Sequence, residues 1–112
     1  MTNEELNTAL YQKMFAEQEQ YKQWLLTQPP DEILHHCYEY VVREDIVLAL
    51  EEHDLSDSQC KALLKSKTPL ADVFRKWETW ETGYMDKIRE CIESRANDVI
   101  RADFLASRRD SR

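Results

Sequence analysis

Residues 69–102, PLADVFRKWETWETGYMDKIRECIESRANDVIRA, decide how this chain folds. At about 100° per residue, Leu70, Val73, Phe74, Trp77, Trp80, Tyr84, Ile88, Cys91, Ile92 and Val99 fall on one side of a helix. Thr68 and Pro69 open it, a capping residue followed by a proline whose missing N–H falls where no helical hydrogen bond is needed. Gly83 is the single glycine of 112 residues. The apolar phase survives it, and the glycine points to the opposite, wet side. An exposed glycine inside a helix costs about 1 kcal/mol, so the pattern predicts one unbroken amphipathic helix over 69–102, with 103–112 as a frayed polar tail.

The rest of the chain reads as helix too. Thr2 with Glu5 makes a capping box, and Leu6, Leu10, Met14, Tyr21, Trp24 and Leu25 share a sector, predicting a helix over 3–26. Pro29 and Pro30 end that element and start the next, with Asp31 and Glu32 where the helix dipole favours acids. Between 30 and 53 the apolar phase turns over. Ile33, Leu34, Cys37, Tyr38 and Val41 lie on one side, and Ile46, Ala49 and Leu50 on nearly the opposite one. Either the helix breaks near Arg43, Glu44 and Asp45, giving 30–42 and 44–53, or a straight helix meets different neighbours at its two ends; the break is the favoured reading. Ser56 with Gln59 caps a short helix over 57–65. The expected fold is all-α, a single domain over 1–112. It is a compact helical bundle of four to five helices with a long amphipathic C-terminal helix.

Composition narrows the function. No glycine-rich phosphate loop or strand-to-helix nucleophile turn can be built with one glycine. No run of about 18 apolar residues exists to cross a membrane, and the first ten residues lack the basic start and apolar middle of a secretory leader. Cys37, Cys60 and Cys91 are odd in number and far apart, which suits small packed thiols in a reducing cytoplasm rather than disulfides. The net charge of -7 is uneven: Met1 to Asp54 holds twelve acids and three bases, and Leu55 to Arg112 ten acids and twelve bases. Such a surface repels phosphate and disfavours direct contact with nucleic acid.

Few side chains carry a chemical signature. Glu32 and His35 have the spacing of a metal-binding pair, yet no second such pair exists, so neither metal nor cofactor is expected. Cys37 and Cys91 fall within apolar sectors and read as packing rather than as nucleophiles. No carboxylate pair sits in an apolar stretch that would raise a pKa, and the chain reads as non-enzymatic. The acid-dense region around the suspected break supplies the candidate partner-binding residues: Glu39, Arg43, Glu44, Asp45, Glu51, Glu52 and Asp54. Glu81 and Arg95 interrupt the apolar stripe and read as polar packing or interface contacts. Phe74, Trp77, Trp80 and Tyr84 form an aromatic ladder that reads as core before interface. A stripe this long also invites a homodimer through 69–102.

Several blocks resemble a family of small uncharacterised bacterial proteins. They are Trp24-Leu25-Leu26 through Gln28-Pro29-Pro30 to Glu32-Ile33-Leu34, then Tyr38-Glu39-Tyr40 with Val42-Arg43-Glu44-Asp45-Ile46. Pro69 to Phe74, Glu81 to Asp86 and Glu93 to Ala96 are similar as well. The resemblance spans about residues 11–98 and implies a domain of unknown function from mobile elements of Gram-positive gut bacteria. It brings no activity, cofactor or site residue. It implies a protein that binds and regulates a protein of the host or of a rival element. An anti-CRISPR-type inhibitor, whose carboxylates occupy the basic groove of a nucleic-acid-binding enzyme, belongs to that class.

Overall fold

The computed structural model describes residues 1–110. It has five helices, and no strand among the described residues: α1 Asn3–Leu26, α2 Pro30–Glu52, α3 Asp57–Leu64, α4 Pro69–Glu78 and α5 Tyr84–Asp110. The all-α fold and the long C-terminal helix agree with the sequence. Where one domain over 1–112 was expected, the chain divides into two compact units, Met1–Thr79 and a second beginning at Trp80.

In the first unit α1 is the post around which the others assemble, touching α2, α3 and α4. Its buried stripe of Leu6, Leu10 and Met14 meets Val47, Cys60 and Leu70, one buried residue from each of the other three helices. Burying such side chains stabilises by about 1.5–3 kcal/mol each. Polar contacts fix the angles. The Asn7 side chain accepts from the Leu55 amide at 2.9 Å and donates to the Leu55 carbonyl at 3.0 Å, pinning the chain just before α3. The Lys13 ammonium donates to the carbonyls of Leu64 and Ser66 at 3.0 and 2.6 Å, a cation placed where the α3 dipole is negative.

The α2 reading needs correction. Residues 30–52 form one continuous helix, with His53 extended at its end, so there is no break at 43–45. The apolar phase turns over because Ile46 and Leu50 pack against the core, while Leu34 and Val41 of the early cluster stay on the exposed side. The early cluster does not become core: Leu34 is 75% exposed, and Tyr38, Val41 and Cys37 are exposed as well. Of the three cysteines only Cys60 is buried; Cys37 and Cys91, expected to pack, are exposed.

The helix over 69–102 is likewise two elements. Thr79 closes α4, its amide and hydroxyl both donating to the Lys76 carbonyl, at 3.0 and 2.7 Å. Gly83 then adopts φ +69, a left-handed conformation that residues bearing a Cβ adopt only with strain. Its carbonyl accepts from the Lys87 amide at 2.9 Å and so begins α5. The apolar phase crosses this turn without helical continuity. At the other end, 103–110 is helical rather than frayed, and residues 111–112 of the expected tail lie outside the described ones.

Candidate functional site

Two surfaces of the first unit are defined by what α2 presents on its inner and outer sides. Arg43 stands on the inner side, 8% exposed, among residues of α1. Its guanidinium donates twice to Glu39 Oε2, at 2.6 and 2.9 Å, and lies 3.9 Å from Glu17 Oε2. It also covers the face of Tyr21, 4.1 Å from the ring centre. A guanidinium suits this position because it stays charged while its flat face stacks on an aromatic ring. The Tyr21 hydroxyl lies near the Glu39 carboxylate but makes no hydrogen bond of ordinary geometry among the described residues. Its pKa is raised from 10.0, by burial first and by the Glu39 carboxylate second, against the pull of Arg43.

Glu17 serves two elements. Its carboxylate oxygens accept from the amides of Leu70 and Ala71 at 2.8 and 2.9 Å, satisfying the first turn of α4. Beside it Gln18, 2% exposed, donates to the Tyr40 carbonyl at 3.2 Å and to Glu44 Oε1 at 3.0 Å. Tyr11 donates to Glu51 Oε1 at 2.6 Å, and that bond raises the Tyr11 pKa above 10.0. Glu39, Arg43, Glu44 and Glu51, four of the seven candidate partner residues, are therefore bound within the chain.

Asp45, Glu52 and Asp54 are different. All three are exposed, and none has an ion pair or side-chain hydrogen bond among the described residues. Asp45 and Glu52 share the outer side of α2 with Leu34, Val41 and Leu48, which recur every seventh residue and are 75%, 49% and 53% exposed. Next to this stripe lies an apolar groove of about 410 Å³, between Ile46, Ala49 and Leu50 of α2, Leu63 of α3 and Val73 of α4. Sequence reasoning found the acids and missed the stripe and groove. The heptad spacing of Leu34, Val41 and Leu48 was the available signal, hidden because Leu34 and Val41 were grouped with the early apolar cluster and Leu48 with none.

The other candidates separate. Phe74 is buried and meets Tyr38 edge-on at 6.3 Å, while Trp77 Nε1 donates to the Tyr38 hydroxyl at 3.0 Å. Trp80 and Tyr84 are 61% and 67% exposed, so the aromatic ladder does not continue as core past α4. Glu81 lies in the segment before α5, and Arg95 on α5; both are exposed and neither has an ion pair among the described residues. His35 is exposed, and it is His36 that approaches Glu32 and Glu39, at 3.8 and 3.9 Å. Among the described residues no group of three or more His, Cys, Asp or Glu side chains is placed to hold a metal ion, and no helix is long and apolar enough to cross a membrane.

A small all-helical protein whose distinctive features lie on its surface is the class these observations define. Within that class the chain belongs to the family described as "Protein of unknown function (DUF3848)", whose model matches residues 6–100. No curated protein matches the chain, and no solved structure does.

Proposed function

We propose that this chain is a non-enzymatic interaction protein whose first unit binds, and so regulates, a protein partner presenting a basic surface with apolar side chains. The observation that carries the reading is the outer side of α2. Leu34, Val41 and Leu48 stand exposed there beside Asp45 and Glu52, acids without an ion pair among the described residues. Apolar residues give such a contact its affinity, and the acids give it a preferred partner and a fast approach. The adjoining groove offers room for an anchoring side chain of the partner.

The narrower reading, an inhibitor whose carboxylates fill a groove built for nucleic acid, has less support. It draws on a dense acidic track, yet Glu39, Glu44 and Glu51 are occupied by Arg43, Gln18 and Tyr11. The likeness of the motif blocks to proteins of mobile elements supports a partner in the host or in a rival element. Three free cysteines support a cytoplasmic setting.

Affinity capture with the unaltered chain and with the Asp45→Lys, Glu52→Lys, Asp54→Lys triple variant tests the reading. The partner is lost with the triple variant and retained with Glu4→Lys, Glu19→Lys, which changes charge on α1. Equal capture by both variants would sink the assignment of the surface.

A further inference from the structure

We propose that two copies of this chain pair through α5, antiparallel and along the whole helix, on a surface separate from the α2 face. Along α5 Met85, Ile88, Ile92, Val99, Ala102 and Ala106 recur at alternating spacings of three and four, with Arg95 the one charge in the series. That repeat is the seam of a two-stranded coiled coil, and a helix of this length supplies nearly four heptads of it. Met85, Ile92 and Val99 are 68%, 65% and 42% exposed.

Charge selects a second copy as the occupant and fixes its direction. Between Tyr84 and Asp110 six acids and six bases balance, so one α5 does not repel another. Residues 1–79, with fifteen acids and eight bases, carry the whole net charge of -7. Arg89 and Asp103 flank the seam on one side, Asp98 on the other. Among the described residues none of these, nor Arg95, has an ion pair within its own chain. A parallel pair would set Arg95 against the partner's Arg95 and Asp98 beside the partner's Asp103, like charges at both places.

Laid antiparallel over the full helix, with the two copies of Asn97 at one level, opposite charges meet at the outer flanks, and the two Asp98 carboxylates that face each other at the centre each have an Arg95 beside them. Arg89 then meets the partner's Asp103, and Asp103 the partner's Arg89. Arg95 packs by the partner's Val99, within reach of the partner's Asp98. Each contact occurs twice, as a two-fold interface requires.

Sedimentation equilibrium of the full chain tests this. The expected mass at high concentration is twice 13.4 kDa. Asp103→Arg weakens the dimer by about tenfold or more, because it sets like charges together twice. Adding Arg89→Asp to that variant restores the affinity. Within one helix these positions stand about 21 Å apart, so the restoration must come from contact between copies. A chain that stays monomeric at its highest soluble concentration overturns the proposal. So does a dimer indifferent to Asp103→Arg, or one that Arg89→Asp fails to restore.

Discussion

The Arg43 guanidinium lies between the Tyr21 ring, 4.1 Å from its centre, and the Glu39 carboxylate, 2.6 Å away. This residue holds α1 to α2, where the sequence reading had it meet a partner. Taking the cation away leaves Glu39 and the nearly buried Glu17 without their counter-charge. Arg43→Ala is expected to destabilise the first unit by about 3 kcal/mol, read as a shift in urea midpoint. Partner binding per folded molecule stays unchanged. A stable Arg43→Ala variant that no longer binds would return Arg43 to the interface.

Gly83 offers a test by sign. In a continuous helix, Gly83→Ala would add helix and stabilise by about 1 kcal/mol. At φ +69 an alanine is strained, although no atom within 4 Å obstructs its Cβ. The cost is then about 1–2 kcal/mol of backbone strain. Hydrogen exchange at the Lys87 amide, which donates to the Gly83 carbonyl, is expected to speed up about 5- to 30-fold. Slower exchange together with a larger helical dichroism signal would mean that α4 and α5 run on as one helix.

Acid sensitivity is expected around Asp72. The Ser66 hydroxyl, donating at 2.5 Å, holds its carboxyl below the ordinary value of 3.8; partial burial opposes this, and Arg75 and Thr68 assist. A carboxyl lowered in the folded state stabilises above its unfolded pKa and loses that contribution as pH falls through its folded one. Urea midpoints of the unaltered chain and of Asp72→Asn should therefore differ by a constant amount above about pH 5 and converge below pH 3.8. A gap that persists in stronger acid would contradict the assignment.

What was legible in the sequence follows from which forces are local. The capping boxes at Thr2 and Ser56 and the prolines at 30 and 69 act within one turn of helix, and α1, α3 and the starts of α2 and α4 were readable from them. The phase change in α2 was visible but ambiguous, because a broken helix and a helix with two neighbours leave the same pattern. Gly83 misled for a related reason: the five residues between α4 and α5 preserve the phase of the apolar stripe, and phase alone carries no record of φ. Arg43, Glu39 and Glu44 were found as a cluster. Their roles depended on Tyr21, Glu17 and Gln18, more than twenty residues away, and no spacing rule reaches that far.

The central claim is that the outer side of α2 is where this protein meets its partner. Titration calorimetry of the captured partner with the unaltered chain and with Val41→Asn, Leu48→Asn tests it most directly. Both side chains are about half exposed, so the double variant keeps its fold, and its affinity is expected to fall at least about tenfold. Unchanged affinity in a folded double variant would contradict the account.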